Sequence, residues 1–271
     1  MGGMSATQVA VCQFAPTADR ADNRARVAAM TADAAARGAR LVVFPEYASY
    51  FITPMDATLA ENAEPLDGPF VAALRELAAA HDVTIVAGLV EQGESGRVRN
   101  TAVAVDAAGI RAVYRKQHLY DAFGQPESDW IEPGGLGAPE TFEIDGLRFG
   151  LMTCYDLRFP EVARTIVDAG ADVIVVPAEW VRGPLKEHHW TTLLAARAIE
   201  STAYVVAADH PAPIGVGHSQ IVDPQGVVLA GIGSAEGIAV AAIDLESLRT
   251  VREVNPSLRL RRYDVVPRER S

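Results

Sequence analysis

The most constraining feature of this chain is an internal repetition of apolar and helical stretches. The segment GARLVVFPEY (residues 38–47) is echoed by GADVIVVPAEW (residues 170–180). Each follows an alanine-rich stretch with helical character, and each ends its apolar run at a proline. Both segments therefore predict the same succession of helix, turn, buried strand and stop.

Other segments repeat in the same order along the two halves. QVAVCQF (8–14) pairs with RFGLMTC (148–154), VTIVAGLV (83–90) with AYVVAAD (203–209), and NTAVAVDAAGIRAVYRK (100–116) with GHSQIVDPQGVVLAG (217–231). The last pair predicts two hairpins, which turn at residues 107–109 and 224–226. The repeat unit is thus β-α-β-α-β-β, present twice.

Strands separated by helical segments predict an α/β fold, and continuous apolar strands such as LVVF and VIVV need cover on both faces. Two duplicate halves satisfy that need if their sheets stack face to face with the helices outside. This arrangement is a four-layer α-β-β-α sandwich with an internal pseudo-twofold duplication. A single doubly wound sheet is the alternative that the pattern leaves open. Because no linker divides the sequence, we expect one domain over residues 6–271.

Composition excludes several classes of function. The formal charge of −11 argues against nucleic acid as a partner, since a phosphate backbone requires a basic surface. No apolar run approaches the roughly 20 residues of a membrane span, and the first residues do not resemble a secretion signal. Two cysteines cannot form a disulfide framework. We therefore expect a cytoplasmic protein with free thiols and no membrane partner.

Three polar residues lie where predicted buried strands become loops. Glu46 follows the strand of the first repeat, Lys116 follows the first hairpin, and Cys154 follows RFGLMT. Equivalent strand ends of stacked sheets meet at one rim, so these side chains are expected to converge. Each residue alone is more typical of a salt-bridged carboxylate, a solvated lysine or a buried inert thiol, and Arg115 and His118 are equally possible cations.

The sequence also predicts pKa shifts at this rim. Cys154 precedes an amphipathic stretch, and a helix N-terminus would lower the pKa of its thiol. Burial would raise the pKa of Glu46 toward a value that suits a general base. Glu127 lies in a Gly- and Pro-rich loop expected to cover the mouth of the site. Glu127 could be a second carboxylate beside the lysine, but Asp121, Asp129 and Glu132 fit the same description.

Three motifs together resemble the signatures of the nitrilase superfamily of carbon-nitrogen hydrolases. They are FPEY with Glu46, YRKQHLYD with Lys116, and CYDLRFPE with Cys154, in that family's order and approximate spacing. The segments HHWTTLLAARAIES (188–201), GHSQIVDPQG (217–226) and RRYDV (261–265) are also similar. The resemblance implies the α-β-β-α sandwich, usually paired into a homodimer.

The resemblance also implies a role for each motif residue. Cys154 would be the nucleophile, Glu46 the general base and Lys116 the oxyanion stabiliser, with the backbone N–H of Tyr155 as a second oxyanion donor. Glu127 matches the family's additional glutamate, although the loop from residue 120 to 127 looks shorter than in many members. Such chemistry needs no metal and no cofactor, and the scattered histidines offer no metal-ligand spacing.

The same motifs resemble the branch of omega-amidases and deaminated-glutathione amidases, which implies a small aliphatic amide that bears a carboxylate. Arg158 could bind that carboxylate, or it could bridge to Glu161 or to a dimer partner. Phe123, Glu179 and Trp180 are expected to line the pocket. The alternatives are an N-carbamoyl amino acid amidohydrolase, a nitrilase, a Cys-His hydrolase of glutamine-amidotransferase type, and a non-enzymatic oligomerising scaffold with a blocked pocket.

Overall fold

The computed structural model describes residues 6–94, 96–122 and 125–268. The strands of the described part are β1 (Thr7–Gln13), β2 (Leu41–Val43), β3 (Thr84–Gln92), β4 (Val98–Asp106), β5 (Gly109–Arg115), β6 (Asp121–Ala122), β7 (Gln125–Pro126), β8 (Ile131–Glu132), β9 (Thr141–Ile144), β10 (Leu147–Leu151), β11 (Val173–Pro177), β12 (Tyr204–Ala208), β13 (Gln220–Val222), β14 (Val228–Gly231) and β15 (Gly237–Ile243). The helices are α1 (Arg20–Ala36), α2 (Thr58–Asn62), α3 (Pro69–His81), α4 (Pro160–Asp168), α5 (Lys186–Ser201), α6 (Leu245–Val254) and α7 (Ser257–Leu260). Two short 3₁₀ helices span Glu127–Asp129 and Cys154–Arg158.

The predicted duplication is visible in the two large sheets. One sheet has the order β15-β1-β2-β3-β4-β5, with β8 beside β4, and the other has the order β14-β13-β12-β11-β10-β9. In each half, three parallel strands joined through helices lead into an antiparallel hairpin. This arrangement confirms the β-α-β-α-β-β unit.

Burial separates the layers as the sandwich requires. Alternate side chains of β1 and β2, such as Val9 and Val43, share one apolar core with Phe149 and Val175 of the other sheet. The intervening side chains of β1 and β2 pack with apolar residues of α1 and α3 in a second core. Residues of α4 and α5 belong to the first core and cover the opposite sheet. The fold is therefore the predicted four-layer sandwich and not a doubly wound single sheet.

A strand from the end of the chain completes the first sheet. β15 pairs antiparallel with β1 over its full length, from Thr7 opposite Ile243 to Gln13 opposite Gly237. The repeat pattern did not predict this exchange between halves. The pairing of β15 with β1 joins the second half of the sequence to the sheet formed by the first half.

Close backbone contact at Gly88 fixes the path of the chain after β2. Gly88 donates its N–H to the Pro45 carbonyl (3.1 Å) and accepts from the N–H of Ser49 (3.1 Å). A Cβ added at Gly88 would lie 2.3 Å from the Tyr47 nitrogen and 2.7 Å from the Glu46 Cα. Glycine is therefore required where β3 passes this turn.

We expect Gly88→Ala to lower the free energy of unfolding by about 1–3 kcal/mol, because the added methyl group overlaps backbone that cannot move away freely. Urea unfolding measures the loss. Gly137→Ala is the matched control, since a Cβ there meets nothing within 4 Å. A Gly88→Ala protein as stable as the Gly137→Ala protein would contradict the close contact.

Candidate active site

Glu46 is held at the rim by its own backbone and by neighbouring loops. The chain turns at Tyr47, which has a φ of 59°, a left-handed conformation that is rare for an aromatic residue. The Glu46 carboxylate accepts from Asn100 Nδ2 at 2.6 Å through Oε1 and from the N–H of Glu179 at 2.6 Å through Oε2. Glu46 is 1% exposed, so these hydrogen bonds replace water.

Lys116 lies directly after β5, where its backbone N–H donates to the Asn100 carbonyl at 2.9 Å. Its side-chain nitrogen Nζ is 3.0 Å from Glu46 Oε1, 3.0 Å from Glu127 Oε1 and 2.9 Å from Glu127 Oε2. The residue is 2% exposed. One buried ammonium thus joins two buried carboxylates.

Glu127 begins the 3₁₀ helix Glu127–Asp129 and is buried. Besides Lys116, it accepts from the Tyr47 hydroxyl at 2.7 Å, the Tyr120 N–H at 2.5 Å and Asn100 Nδ2 at 3.2 Å. Among the carboxylates that competed for this role in the sequence, Glu127 is the one bonded to Lys116.

Cys154 starts the 3₁₀ helix Cys154–Arg158 with a φ of 46°, again in the left-handed region. Its thiol donates to the Glu179 carbonyl at 3.3 Å and is 5% exposed as a residue. The backbone of Glu179 therefore contacts both Cys154 and Glu46. Strained backbone at Tyr47 and Cys154 is typical of functional sites.

The expected low pKa of the Cys154 thiol is wrong. Burial raises its pKa well above the usual value, and the nearby charge of Glu46 raises it further, while Lys116 lowers it only in part. The turn that begins at Cys154 is a single short 3₁₀ segment, and its partial charge does not outweigh burial. The thiol of Cys154 is consequently neutral at rest.

The two carboxylates have opposite shifts. Burial raises the pKa of Glu46, and the charge of Glu127 adds to that, against the lowering effect of Lys116. Burial alone would raise the pKa of Glu127 too, but Lys116 and the donors Tyr120 and Tyr47 outweigh it and lower the pKa. The raised pKa of Glu46 agrees with the sequence prediction.

These four side chains line a cavity of about 330 Å³. Its walls also include Tyr155, Arg158, Glu179 and Trp180, all of which the sequence placed in the pocket. Tyr155 directly follows Cys154 in the first turn of the 3₁₀ helix, where N–H groups lack earlier carbonyl partners. Phe123, also expected at the pocket, lies outside the described residues.

Arg158 forms part of a cationic wall. Its guanidinium stacks on Trp180, with 4.8 Å from Cζ to the ring centroid, and Nη2 lies 3.3 Å from His189 Nδ1. In the described part of the chain no carboxylate is within ion-pair distance of Arg158, so the alternative of a bridge to Glu161 is not realised. Its Nε is buried without a hydrogen-bond partner.

Lys186 is a second cation of that wall which the sequence reasoning missed. It is 6% exposed, its Nζ donates to the Tyr120 hydroxyl at 2.7 Å, and it lies 5.9 Å from the Trp180 ring centroid. Burial and the charge of Arg158 lower its pKa. A lysine at the start of α5 gave no signal beyond its charge.

Asn100 and His210 were also missed. Asn100 interrupts the apolar pattern of β4, and a buried amide in such a strand was the available signal. His210 Nε2 lies 2.7 Å from the Glu46 carbonyl, and burial lowers its pKa to about 4, so this histidine is neutral and donates. The described residues that line the cavity include no histidine. This disfavours the Cys-His hydrolase.

Among the described residues, no helix combines the length and the apolar composition that a membrane span requires. Nor do these residues contain a cluster of three or more His, Cys, Asp or Glu side chains that could hold a metal ion. The site is instead built from a thiol, an ammonium group and two carboxylates.

Comparison with known proteins places this geometry in a family. Residues 8–253 match the carbon-nitrogen hydrolase family. The chain is 42% identical over 256 residues to deaminated glutathione amidase of Escherichia coli O157:H7, covering 94% of this chain and 97% of that protein. It is 31% identical over 276 residues to human omega-amidase NIT2, covering 97% of each.

Solved structures agree with the sequence relatives. The Caenorhabditis elegans NitFhit protein superimposes with a TM-score of 0.87 at 31% identity; the match covers 95% of this chain but only 65% of the NitFhit chain. Saccharomyces cerevisiae Nit3, a member of branch 10 of the nitrilase superfamily, gives a TM-score of 0.83 at 26% identity and covers 96% of this chain and 97% of Nit3. With the fold, the cavity and these relatives in agreement, the chain belongs to the carbon-nitrogen hydrolase family of the nitrilase superfamily.

Proposed function

We propose that this carbon-nitrogen hydrolase is an amidase that cleaves the ω-amide of a small carboxylic or 2-oxo acid through a thioester on Cys154. The observation that carries the proposal is the cavity in which a thiol, a buried ammonium and two buried carboxylates meet. A thiol supplies the nucleophile, a carboxylate the base and a cation the stabilisation of developing negative charge.

In the first half-reaction, Glu46 takes the proton of the Cys154 thiol as sulfur attacks the carboxamide carbon. The thiol must first leave the Glu179 carbonyl to which it donates at rest. The new C–S bond places negative charge on the amide oxygen, which Lys116 and the Tyr155 N–H stabilise. The C–N bond then breaks, the protonated Glu46 gives its proton to the nitrogen, and ammonia or an amine leaves.

In the second half-reaction, water hydrolyses the thioester. Glu46 takes a proton from the water as oxygen attacks the acyl carbon, and the same oxyanion donors act again. Breaking of the C–S bond returns the proton to sulfur and releases the acid. Because the resting thiol is neutral, Glu46 must accept its proton during attack, and a raised pKa makes Glu46 a stronger base for that step.

Glu127 serves this chemistry through Lys116. Its lowered pKa keeps it charged, so it holds the ammonium in place through the whole cycle. Glu46 loses its charge when it accepts a proton, and Lys116 would then be a buried cation without compensation if Glu127 were absent.

The cationic wall supports a substrate that carries a carboxylate. Arg158 and Lys186 both face the cavity, and their repulsion is relieved when an anion binds between them. The names of the relatives, deaminated glutathione amidase and omega-amidase, also support an acidic amide. A cavity of about 330 Å³ next to Cys154 argues against a blocked scaffold and accommodates a small substrate.

We further propose a cytoplasmic homodimer. Two buried free cysteines suit a reducing compartment, and the family resemblance supports pairing. Light scattering of the purified protein measures the oligomeric state.

Replacing Cys154 with alanine should reduce turnover by about 10⁴-fold or more, because it removes the thiol of the described cavity on which the thioester would form. Lys116→Met should cost about 10²–10³-fold through loss of the oxyanion donor. The assay is ammonia release from a panel of 2-oxoglutaramate-like amides, deaminated glutathione, N-carbamoyl amino acids and nitriles. Intact mass after brief mixing should show a thioester adduct on the parent enzyme.

Cys12→Ala is the matched control, because Cys12 is a buried free thiol in β1, away from the cavity, and should retain activity. A Cys154→Ala enzyme as fast as its parent would refute the mechanism. Preference for a carbamoyl compound or a nitrile would refute the substrate class alone. Undiminished turnover by Lys116→Met would favour the Cys-His hydrolase.

The pH dependence of kcat/KM should have an acid limb that reports Glu46. The carboxylate form is active, so the rate falls as pH drops through its raised pKa. Asn100→Leu removes a hydrogen bond that lowers this pKa, so the acid limb should move to higher pH.

The control for this shift is Asn62→Leu, which removes an amide bonded to the Thr58 carbonyl within its own helix. Its pH profile should match that of the parent. An Asn100→Leu enzyme that is slower but keeps the parental acid limb would assign that limb to a different group.

Arg158→Met should raise KM for a carboxylated amide by about 10–100-fold, because a charge-assisted hydrogen bond is lost. KM for a neutral amide of the same length should change little. Arg164→Met is the control, since Arg164 donates to the Glu200 carbonyl outside the cavity. Equal effects on both amides would show that Arg158 shapes the pocket without recognising charge.

A further inference from the structure

We propose that Asp156 is a positioning residue that joins the segment carrying Lys116 to the turn carrying Cys154. The inference rests on the proposed function, in which those two side chains must meet at one amide carbon. Asp156 is fully buried and does not line the catalytic cavity in the described structure. Its effect on the reaction is therefore exerted through other residues.

The Asp156 carboxylate binds on both sides of Lys116. Oδ2 accepts from the Tyr114 hydroxyl at 2.8 Å, and Oδ1 lies 3.0 Å from the His118 N–H and 2.8 Å from His118 Nδ1. One carboxylate thus binds Tyr114 and His118, which lie two positions before and two positions after Lys116.

The same carboxylate is fixed to the nucleophile turn. Asp156 lies two residues after Cys154 in the 3₁₀ helix, and its Oδ2 accepts from the Thr153 N–H at 3.3 Å. Its own N–H donates to the Thr153 carbonyl at 3.0 Å. These contacts enclose Cys154, whose left-handed φ of 46° needs support from its surroundings.

Packing reinforces the connection. The His118 ring stacks on Phe159 with centroids 3.7 Å apart and planes at 9°, and Phe159 directly follows the 3₁₀ helix that contains Cys154. The phenol of Tyr114 is buried, and burial and the charge of Asp156 raise its pKa, so it remains a donor. The two segments come from different sheets, and the bridge adds a direct polar connection to the apolar core and to the hydrogen bond between Glu46 and the Glu179 N–H.

A buried aspartate with satisfied hydrogen bonds could also act on stability alone. The two roles differ in what the substitution changes. Loss of positioning lowers kcat and kcat/KM together with little change in KM, because the geometry matters in the transition state. Loss of stability alone lowers the melting temperature and leaves kcat of the folded enzyme intact.

The test uses Tyr114→Phe, which removes one hydroxyl from the bridge and keeps the ring. Its matched control is Tyr204→Phe, which removes a buried hydroxyl that donates to the Asp244 carbonyl at 3.1 Å, away from the cavity. We expect kcat of Tyr114→Phe to fall by about 10–100-fold at nearly constant KM, since small displacements of reacting groups cost this much. Tyr204→Phe should keep the parental kcat despite a similar loss in melting temperature.

Asp156→Asn and Asp156→Glu provide the second measurement, on folded protein confirmed by circular dichroism. Asn keeps the shape but presents an N–H₂ group to donors, so it should slow acylation more than Tyr114→Phe does. Single-turnover formation of the acyl adduct, followed by intact mass, measures that step. A third variant, Asp156→Ala, removes the carboxylate altogether. Asp156→Glu keeps the charge and should form the adduct faster than Asp156→Ala, because the carboxylate itself accepts these hydrogen bonds.

Parental kcat in Tyr114→Phe, or equal losses in Tyr114→Phe and Tyr204→Phe, would overturn the proposal. All rates are taken relative to the parent on its best substrate. An active Cys154→Ala enzyme would instead show that the proposed function had failed. The two failures are thus distinguishable.

Discussion

The buried ammonium of Lys116 between two buried carboxylates is the interaction on which the site depends. Each charge is removed from water, and each would be costly alone, since removal of one partner from a buried pair typically costs about 3–5 kcal/mol. Glu46 and Glu127 come from different loops, and Lys116 connects them at 2.9–3.0 Å. One cation therefore connects three segments at the rim.

This cluster also explains the protonation state of Cys154. Two carboxylates around one ammonium leave a net negative charge near Cys154, and burial removes the water that would stabilise a thiolate. Both effects raise the thiol pKa. The sequence prediction expected a helix N-terminus to lower the thiol pKa. In a site this enclosed, that lowering is smaller than the increase caused by desolvation.

Much of the fold was predictable because buried strands leave a strong local pattern. The apolar runs ending at Pro45 and Pro177 mark equivalent strands, and the polar residues just after them point to a common rim. β15 was not predictable in this way, since its apolar residues could pair with either sheet, and β1 provided the free edge. Asn100 and Lys186 were missed because a single polar residue gains its meaning only from distant partners.

By itself the sequence determined the duplicated α/β architecture and the residue types that meet at its rim, because periodicity and strand ends are local properties. Only the tertiary structure decided which carboxylate binds Lys116, that Cys154 is neutral at rest, and that Arg158 lies on Trp180 with no bridge to Glu161. The physical reason is that charge state and pairing depend on burial and on distances between segments far apart in the chain. Asp156 illustrates the same difference. It belongs to the motif CYDLRFPE, which is visible in the sequence, but its hydrogen bonds to Tyr114 and His118 exist only in the folded protein.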